Sequence, residues 1–343
     1  MVNFLTSIGV SSKPVSAKHL LRIVHSFRAD DKHNLSEVSV SFMLHGGATA
    51  IVKHVHTQWG ERWVAGVFHR AIAGEAHRCQ IEPLVVDVGA NAGYYGMLAA
   101  ALGARVTMFD AQPSCWEYIQ RAIATSNIEH RRFQIVHGGV STQPYDVRID
   151  LSAGTDARHP AWQPECDGHF GQRGRSGVIT TRHAKTGGFT NAFSFSKFRD
   201  GILGETLGSG KSITLVKVDV EGSEIGILNA SLLPLLRQRR IRHLVMEATP
   251  GFWNSSLGTT HSLSFALDIV YEVALSGYSL ETRPILKKCL KNQDRLSCWI
   301  WKPSKVRDYV RNMRNAEDLH FERIAPLMPT TSHPSCERHS SEF

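Results

Sequence analysis

The chain has 343 residues, of which 42% are hydrophobic and 20% are charged, and its formal net charge is +8. A chain of this size can bury a sizeable core, so we expect one domain of ordinary size with additions. Its sequence holds no apolar run near the ~18 residues that a membrane-spanning helix needs. The basic residues are spread out and lack the interleaved aromatic side chains of a single-strand platform, which argues against specific nucleic-acid binding.

Cysteine and histidine spacing argues against both a disulfide framework and a metal site. The six cysteines are widely spaced and include no C-x-x-C pair. Disulfide frameworks are typical of short secreted chains, so we expect reduced thiols and a cytoplasmic location. His54 and His56 form a pair, but no further ligand follows at the spacing of a metal site. We therefore expect no metal.

The N-terminal segment is basic and free of acidic side chains as far as Asp30. Several apolar side chains would share one face of a helix here, namely those of Leu20, Leu21, Ile23, Val24 and Phe27. This pattern predicts an N-terminal helical extension over residues 1–80. The same composition is typical of a mitochondrial transit peptide, which is the alternative to a cytoplasmic location.

A strand, a glycine turn and a helix follow one another from residue 84. The run LVVDV predicts a strand buried on both faces, GANAG a turn with little side-chain bulk, and YYGMLAAAL a helix. This order builds a nucleotide-binding crevice. We expect the turn to approach the ligand closely, so that a side chain at position 89 would prevent binding without unfolding the chain. The candidate ligand-binding residues are Asp87, Gly89, Asn91, Gly93 and Tyr94.

The second strand, RVTMF, leads to Asp110, which lies 110 − 89 = 21 positions after Gly89. An acidic residue at this distance can accept hydrogen bonds from both ribose hydroxyls of an adenosine. The turn lacks the third glycine of G-x-G-x-x-G, and the carboxylate of Asp87 would repel a pyrophosphate but suits the ammonium group of an amino acid. These features favour S-adenosylmethionine over NAD as the cofactor.

A helix over residues 113–126, with proline in its first turn, precedes a third strand that ends at His137. Ligands of open α/β sheets bind outside the carboxyl ends of the strands, so His137 is a candidate to border the adenine. The alternative is a surface histidine in a turn. This residue joins the candidates for cofactor binding.

Residues 151–190 form an insertion rich in Gly, Ser, Thr, Arg, His and Pro, with few periodic apolar residues. A stretch this long inside a compact domain is unlikely to be structureless by accident. We expect a mobile lid or a hairpin excursion over the substrate. A poorly ordered insertion with no catalytic use is the alternative.

The run ITLVKV predicts a fourth parallel strand, whose carboxyl end delivers Asp219 and Glu221 to the same crevice. Gly222 permits a tight turn into the helix that begins near Ser223. Acidic residues at a helix N-terminus need no chemical role. Because these two also follow a strand end, they are the candidate catalytic pair, with Glu247 and His137 as weaker candidates for a base.

Two separated segments carry a family pattern: VDVGANAGYYGMLAA with FDAQP, and ITLVKVDVEGSEIGI. They resemble the V-D-x-G-A-N-x-G-x-Y turn and the K-x-D-V-E-G-x-E segment of the FkbM family of S-adenosylmethionine-dependent methyltransferases, over residues 85–247. Two departures occur, since the usual glutamate of the second strand is Asp110 and a Leu-Asp pair is replaced by FSFS at 193–196. The resemblance implies a class I fold and transfer to a hydroxyl.

The C-terminal part predicts an antiparallel pair over 278–282 and 296–301. We therefore expect an α/β fold of the class I methyltransferase, Rossmann-like type: a mostly parallel seven-stranded sheet with this terminal antiparallel pair and helices on both faces. The methyltransferase domain is expected over 81–303, followed by a C-terminal helix and disordered tail over 304–343.

The pattern as a whole predicts an S-adenosylmethionine-dependent methyltransferase that acts on a hydroxyl of a small molecule, sugar or lipid. The oxygen preference comes from the family resemblance alone. An NAD-dependent oxidoreductase and a non-catalytic S-adenosylmethionine-binding module are the alternatives.

Overall fold

A computed structural model of the chain describes residues 4–10, 20–28, 35–43, 59–79, 82–150, 189–194, 196–198, 212–220, 223–248, 263–282, 298–300, 302–313 and 317–324. The predictions for Glu221, for most of the insertion 151–190 and for the tail beyond residue 326 lie outside these residues.

The N-terminal segment forms an antiparallel three-stranded sheet of β1 (Phe4–Val10), β2 (Leu20–Arg28) and β3 (Leu35–Met43). The predicted helix over residues 20–27 is therefore wrong. Leu21, Ile23 and Phe27 also fit the two-residue period of a strand, and pairing with two neighbours favours that period over the helical one. Within residues 1–80 the described helix is α1 (Trp59–Cys79).

The later strands are, in chain order, β4 (Leu84–Val88), β5 (Arg105–Asp110), β6 (Phe133–His137), β7 (Gly139–Val140), β8 (Val147–Asp150), β9 (Phe189–Phe193), β10 (Ile213–Val218), β11 (Ile241–Ala248), β12 (Tyr278–Thr282), β13 (Cys298–Ile300) and β14 (Glu317–Arg323). The helices are α2 (Tyr94–Ala101), α3 (Pro113–Thr125), α4 (Glu224–Ile227), α5 (Leu233–Arg237), α6 (Leu263–Leu275) and α7 (Pro303–Arg311). A π-helical segment, Leu228–Leu232, joins α4 to α5.

Eight strands form one mixed sheet in the order β13–β12–β14–β11–β10–β4–β5–β6. The strands from β11 to β6 in this order run parallel to their neighbours, whereas β14 is antiparallel to both β11 and β12. The expected fold class is confirmed, with β14 added as an eighth strand between β11 and β12. The predicted antiparallel pair is present as β12 and β13. A separate small sheet has the order β7–β9–β8.

Strand β14 lies where the sequence predicts only a helix and a disordered tail. Helix α7 is present, but Glu317–Arg323 pairs with both β11 and β12, so the sheet extends past the predicted boundary at residue 303. Leu319 and Phe321 are fully buried in this strand. The charged residues around them hide the strand from an analysis of hydrophobic pattern.

Both faces of the main sheet are covered, as strands that are buried at every position require. Helices α1, α2 and α3 pack on one face, against Val85, Leu215 and Val245. Helices α4 to α7 pack on the other, against Val86 and Val216. In the described part of the chain, none of the helices is long and apolar enough to cross a membrane.

Helix α1 is tied to β12 by an ion pair and packs against the aromatic side chain of Tyr95 on α2. The Nη2 group of Arg70 donates hydrogen bonds to both carboxylate oxygens of Glu281 on β12, at 3.0 and 2.8 Å. Glu281 also contacts the ring of His320 on β14 at 2.6 Å. On the same helix, Phe68 packs against Tyr95 of α2 with ring centroids 5.1 Å apart. Helix α1 therefore fixes the position of Tyr95 relative to the sheet.

The structure contradicts the expectation that the cysteines are reduced. Cys115 on α3 is fully buried and disulfide-bonded, whereas reduced thiols are expected from the sequence. Wide spacing along the chain does not prevent two cysteines from meeting in the fold, so spacing alone is a weak guide to pairing.

Candidate functional site

The turn between β4 and α2 adopts left-handed backbone conformations at Gly89, Asn91 and Gly93, with φ of 82°, 51° and 86°. The amide groups of Gly89 and Ala90 both donate to the carbonyl oxygen of Phe109 at 2.9 Å, which ties the turn to β5. Glycine tolerates such φ values without strain, whereas most side chains do not. The two hydrogen bonds to Phe109 therefore hold the turn in a left-handed conformation that Gly89 and Gly93 adopt without strain.

The glycines are required by protein neighbours. A Cβ added to Gly89 would lie 1.8 Å from the carbonyl oxygen of Asp219, and one added to Gly93 would lie 3.0 Å from Cγ1 of Ile119. A side chain at position 89 would therefore strain the contact between the turn and β10 as well as any ligand site, which adds a cost to the fold that the sequence does not predict. The close approach at Gly89 joins β4 to the end of β10.

Asp110 lies at the end of β5 with its carboxylate against the same turn. Its Oδ2 accepts a hydrogen bond from the amide of Asn91 at 2.6 Å, and its Oδ1 accepts one from the amide of Gln112 at 2.7 Å. Burial raises the pKa of Asp110 to about 7, against the effect of these two hydrogen bonds. Each carboxylate oxygen keeps a second lone pair with which to accept from a ligand.

His137 ends β6 directly opposite Asp110, its register partner on β5. Its exposed imidazole stacks on the indole of Trp116, with ring centroids 4.3 Å apart and planes 6° apart. The indole Nε1 donates to the carbonyl oxygen of Asp110 at 2.7 Å, which fixes the stack relative to β5. His137 therefore lies at the same edge of the sheet as Asp110, as the sequence predicts for residues that follow adjacent parallel strands.

Lys217 brings the two sequence blocks into electrostatic contact. It is the register partner of Asp87 across β10 and β4, and it is almost fully buried. Its Nζ donates a hydrogen bond to Oδ2 of Asp219 at 2.9 Å and lies 3.9 Å from Oδ1 of Asp87. The Tyr95 ring covers it, with its centroid 4.9 Å from Nζ. The result is a cluster of two carboxyl groups around one ammonium group.

The two carboxyl groups of this cluster differ in accessibility. Asp87 is completely enclosed, and its Oδ1 lies 3.9 Å from Nζ of Lys217. Burial raises the pKa of Asp87, and the charge of Lys217 opposes that rise. The side chain of Asp219 is 37% exposed, so it is the member of the cluster that a ligand can reach.

The positions of the other predicted site residues give no direct evidence of a role in ligand binding or catalysis. Tyr94 is buried in the first turn of α2 and packs edge-on against Tyr95. Glu221 lies outside the described residues, and Glu247 lies in β11 opposite Asp318 of β14. Within the described ranges, no group of three or more His, Cys, Asp or Glu side chains is placed to hold a metal ion.

Two residues of this site have no role in the sequence prediction. Lys217 is the one charged residue in a strand whose six residues are all buried, and that contrast is a usable signal. Trp116 has no such signal, because an aromatic residue at helical spacing is equally typical of a core position.

The strand order, with β4, β5, β6, β10 and β11 parallel and helices on both faces, defines a Rossmann-like α/β fold. No protein-family model and no curated protein matches the sequence. Among solved structures, an rRNA methylase from Streptococcus thermophilus is 10% identical, covers 78% of this chain and 99% of its own, and has a TM-score of 0.37. A SAM-dependent methyltransferase from Agrobacterium tumefaciens is 12% identical, covers 91% and 72%, and has a TM-score of 0.38. A human methyltransferase 10 domain containing protein is 11% identical, covers 78% and 84%, and has a TM-score of 0.36.

The contact at Gly89 can be tested against a matched glycine. Gly103 also has a positive φ, of 96°, but a Cβ there would meet nothing within 4 Å. We expect Gly103→Ala to cost about 1–2 kcal/mol of unfolding free energy, from backbone strain alone. Gly89→Ala should cost at least about 2 kcal/mol more, because the added carbon must push β4 and β10 apart. Denaturant unfolding measures both, and equal losses would contradict the contact.

The raised pKa of Asp110 predicts a pH-dependent stability. Because the folded-state pKa is about 7 and the ordinary value is 3.8, the folded state binds the proton more tightly. The resulting stabilisation is fully present below about pH 4 and is lost as the pH rises through 7, by about 4 kcal/mol in total. Unfolding free energies of the wild type and Asp110→Asn should therefore converge or cross over this range. A difference that stays constant from pH 4 to 8 would show that the carboxyl group titrates normally.

Proposed function

We propose that this protein is an S-adenosylmethionine-dependent methyltransferase of the FkbM type that transfers a methyl group to a hydroxyl of a small molecule, sugar or lipid. The observation that carries the proposal is the meeting of the two sequence blocks. The glycine turn after β4 lies against the backbone of Asp219 at the end of β10, and its Asn91 amide donates a hydrogen bond to Asp110 of β5, so the turn contacts both acidic residues. The hydroxyl acceptor is taken from the family resemblance.

The residues of the crevice fit such a donor. The backbone of Gly89, Asn91 and Gly93 would form the floor, Asp110 would accept the ribose hydroxyls, and His137 would border the adenine. The buried carboxyl group of Asp87 has Nζ of Lys217 3.9 Å away as a counter-charge, and a further cationic group nearby would suit it. Because Asp87 is enclosed, we propose that it attracts the donor's ammonium group electrostatically without touching it. Direct contact would require the glycine turn to move.

When bound, the donor supplies a methyl group on a positively charged sulfur. The acceptor oxygen forms a bond to the methyl carbon as the carbon–sulfur bond breaks, and that bond's electron pair stays on sulfur. Most of the reduction in the activation barrier can come from holding the acceptor oxygen and the methyl carbon in line. The partly exposed Asp219 is our first candidate to accept the hydroxyl proton, and Glu221, two positions further on, is the second.

Ligand binding tests the proposal and separates it from a nicotinamide-dependent enzyme. Calorimetry of the purified chain should show binding of S-adenosylhomocysteine and no binding of NAD. Asp110→Ala should weaken the binding more than tenfold, because each lost hydrogen bond to a charged group costs on the order of 1.5–3 kcal/mol. Asp110→Glu, which restores the family's usual residue, should be milder. NAD binding without S-adenosylhomocysteine binding would overturn the proposal.

Turnover tests the role of Asp219. A screen of sugar, lipid and polyketide hydroxyls with labelled donor identifies an acceptor, and single-turnover rates then compare variants. Asp219→Asn should lower the rate about a hundredfold or more, the size expected for a general base, with S-adenosylhomocysteine affinity nearly unchanged. Near-normal turnover would limit Asp219 to a structural role. A chain that binds donor but methylates no acceptor would be a binding module.

A further inference from the structure

The crevice holds more carboxyl groups than cationic groups. At the carboxyl ends of β4, β5 and β10 lie the carboxyl groups of Asp87, Asp110 and Asp219 and the ammonium group of Lys217, and the buried Glu224 of α4 accepts a hydrogen bond from the amide of Val220 beside them. Carboxyl groups thus outnumber ammonium groups among these residues. Their mutual influence is direct, since Asp219 raises the pKa of Asp87 and Asp87 raises that of Asp110, while Lys217 lowers both.

Lys217 cannot neutralise the whole cluster. Its Nζ is hydrogen-bonded to Asp219 at 2.9 Å and lies 3.9 Å from Asp87. Both Lys217 and Asp87 are buried under Tyr95 and α2, where charges interact more strongly than in water. A crevice of this composition is electrostatically suited to a ligand with positive charge beside Asp219.

The chemistry of the proposed reaction fixes where that positive charge would be. Reacting atoms are held about 3–3.5 Å apart before transfer, and a base lies about 2.6–3.2 Å from the hydroxyl it deprotonates. The carbon–sulfur bond adds about 1.8 Å in line, so a carboxylate that takes the acceptor proton lies within about 8 Å of the sulfur. Transfer converts this sulfur from a cation to a neutral thioether, so the same carboxylate interacts differently with donor and product.

We propose that the Asp87–Lys217–Asp219 cluster makes the site discriminate between the cationic donor and its neutral product, with Asp219 as the specificity-determining group and Lys217 as the counter-charge that limits the excess. The inference rests on the proposed function. It means that loss of the sulfonium charge weakens the electrostatic hold on the ligand and favours product release.

The experiment compares two ligands on the same variant, so that general damage to the fold cancels. Calorimetry gives the dissociation constants of S-adenosylhomocysteine and S-adenosylmethionine, and their ratio measures the preference for the cation. Asp219→Asn, which removes a negative charge, should lower this ratio at least about threefold. Lys217→Met removes the positively charged hydrogen-bond partner of Asp219 and should not lower this ratio.

A matched control removes a carboxylate elsewhere. Asp268 on α6 is exposed and pairs with Arg307 of α7, on the opposite face of the sheet, so Asp268→Asn should leave the ratio unchanged. If Lys217→Met fails to fold, the comparison of Asp219→Asn with Asp268→Asn decides alone.

The outcomes separate this inference from the function on which it rests. An unchanged ratio in Asp219→Asn, or an equal fall in Asp219→Asn and Lys217→Met, would overturn the discrimination while leaving donor binding intact. A wild-type chain that binds neither ligand would instead overturn the proposed function.

Discussion

The close approach of the Gly89 backbone to the carbonyl of Asp219 governs the geometry of the crevice. Strands β4 and β10 pair in parallel up to this point, and the amide of Asp219 donates to the carbonyl of Val88 at 3.0 Å. Two blocks that lie 219 − 89 = 130 positions apart in sequence are therefore in van der Waals contact. The glycine turn and the second acidic block depend on each other, because a side chain at position 89 would displace both.

Burial of charge is the second organising constraint. Asp87 and Asp110 are carboxyl groups inside the protein, and such groups are costly unless they are paired or hydrogen-bonded. The two carboxyl groups are stabilised in different ways. Asp110 accepts hydrogen bonds from two backbone amides, whereas Asp87 lies 3.9 Å from the charge of Lys217 and receives no hydrogen bond from it. The site therefore has one buried carboxyl group that accepts two backbone hydrogen bonds and one that is held by Coulombic attraction across strands.

Sequence reasoning succeeds where local pattern and tertiary environment agree. Strands β4 and β10 are apolar runs buried on both faces, so their positions and the turn after β4 are predicted correctly. It fails at β2, where the same apolar residues fit two periods, and at β14, where charged residues enclose the buried Leu319 and Phe321. The reason for glycine at position 89 could not be predicted, because the atom it faces belongs to a strand distant in sequence.

The position of β14 has a consequence for synthesis of the chain. This strand is the last described element, yet it lies between β11 and β12, which precede it. A ribosome delivers the chain from its N-terminus, so the crevice half of the sheet can assemble while β11 still presents an unpaired edge. Until residue 323 has emerged, β12 and β13 have no strand to join them to the rest. The nascent protein must therefore keep a sheet edge protected from other chains until Glu317–Arg323 has been translated.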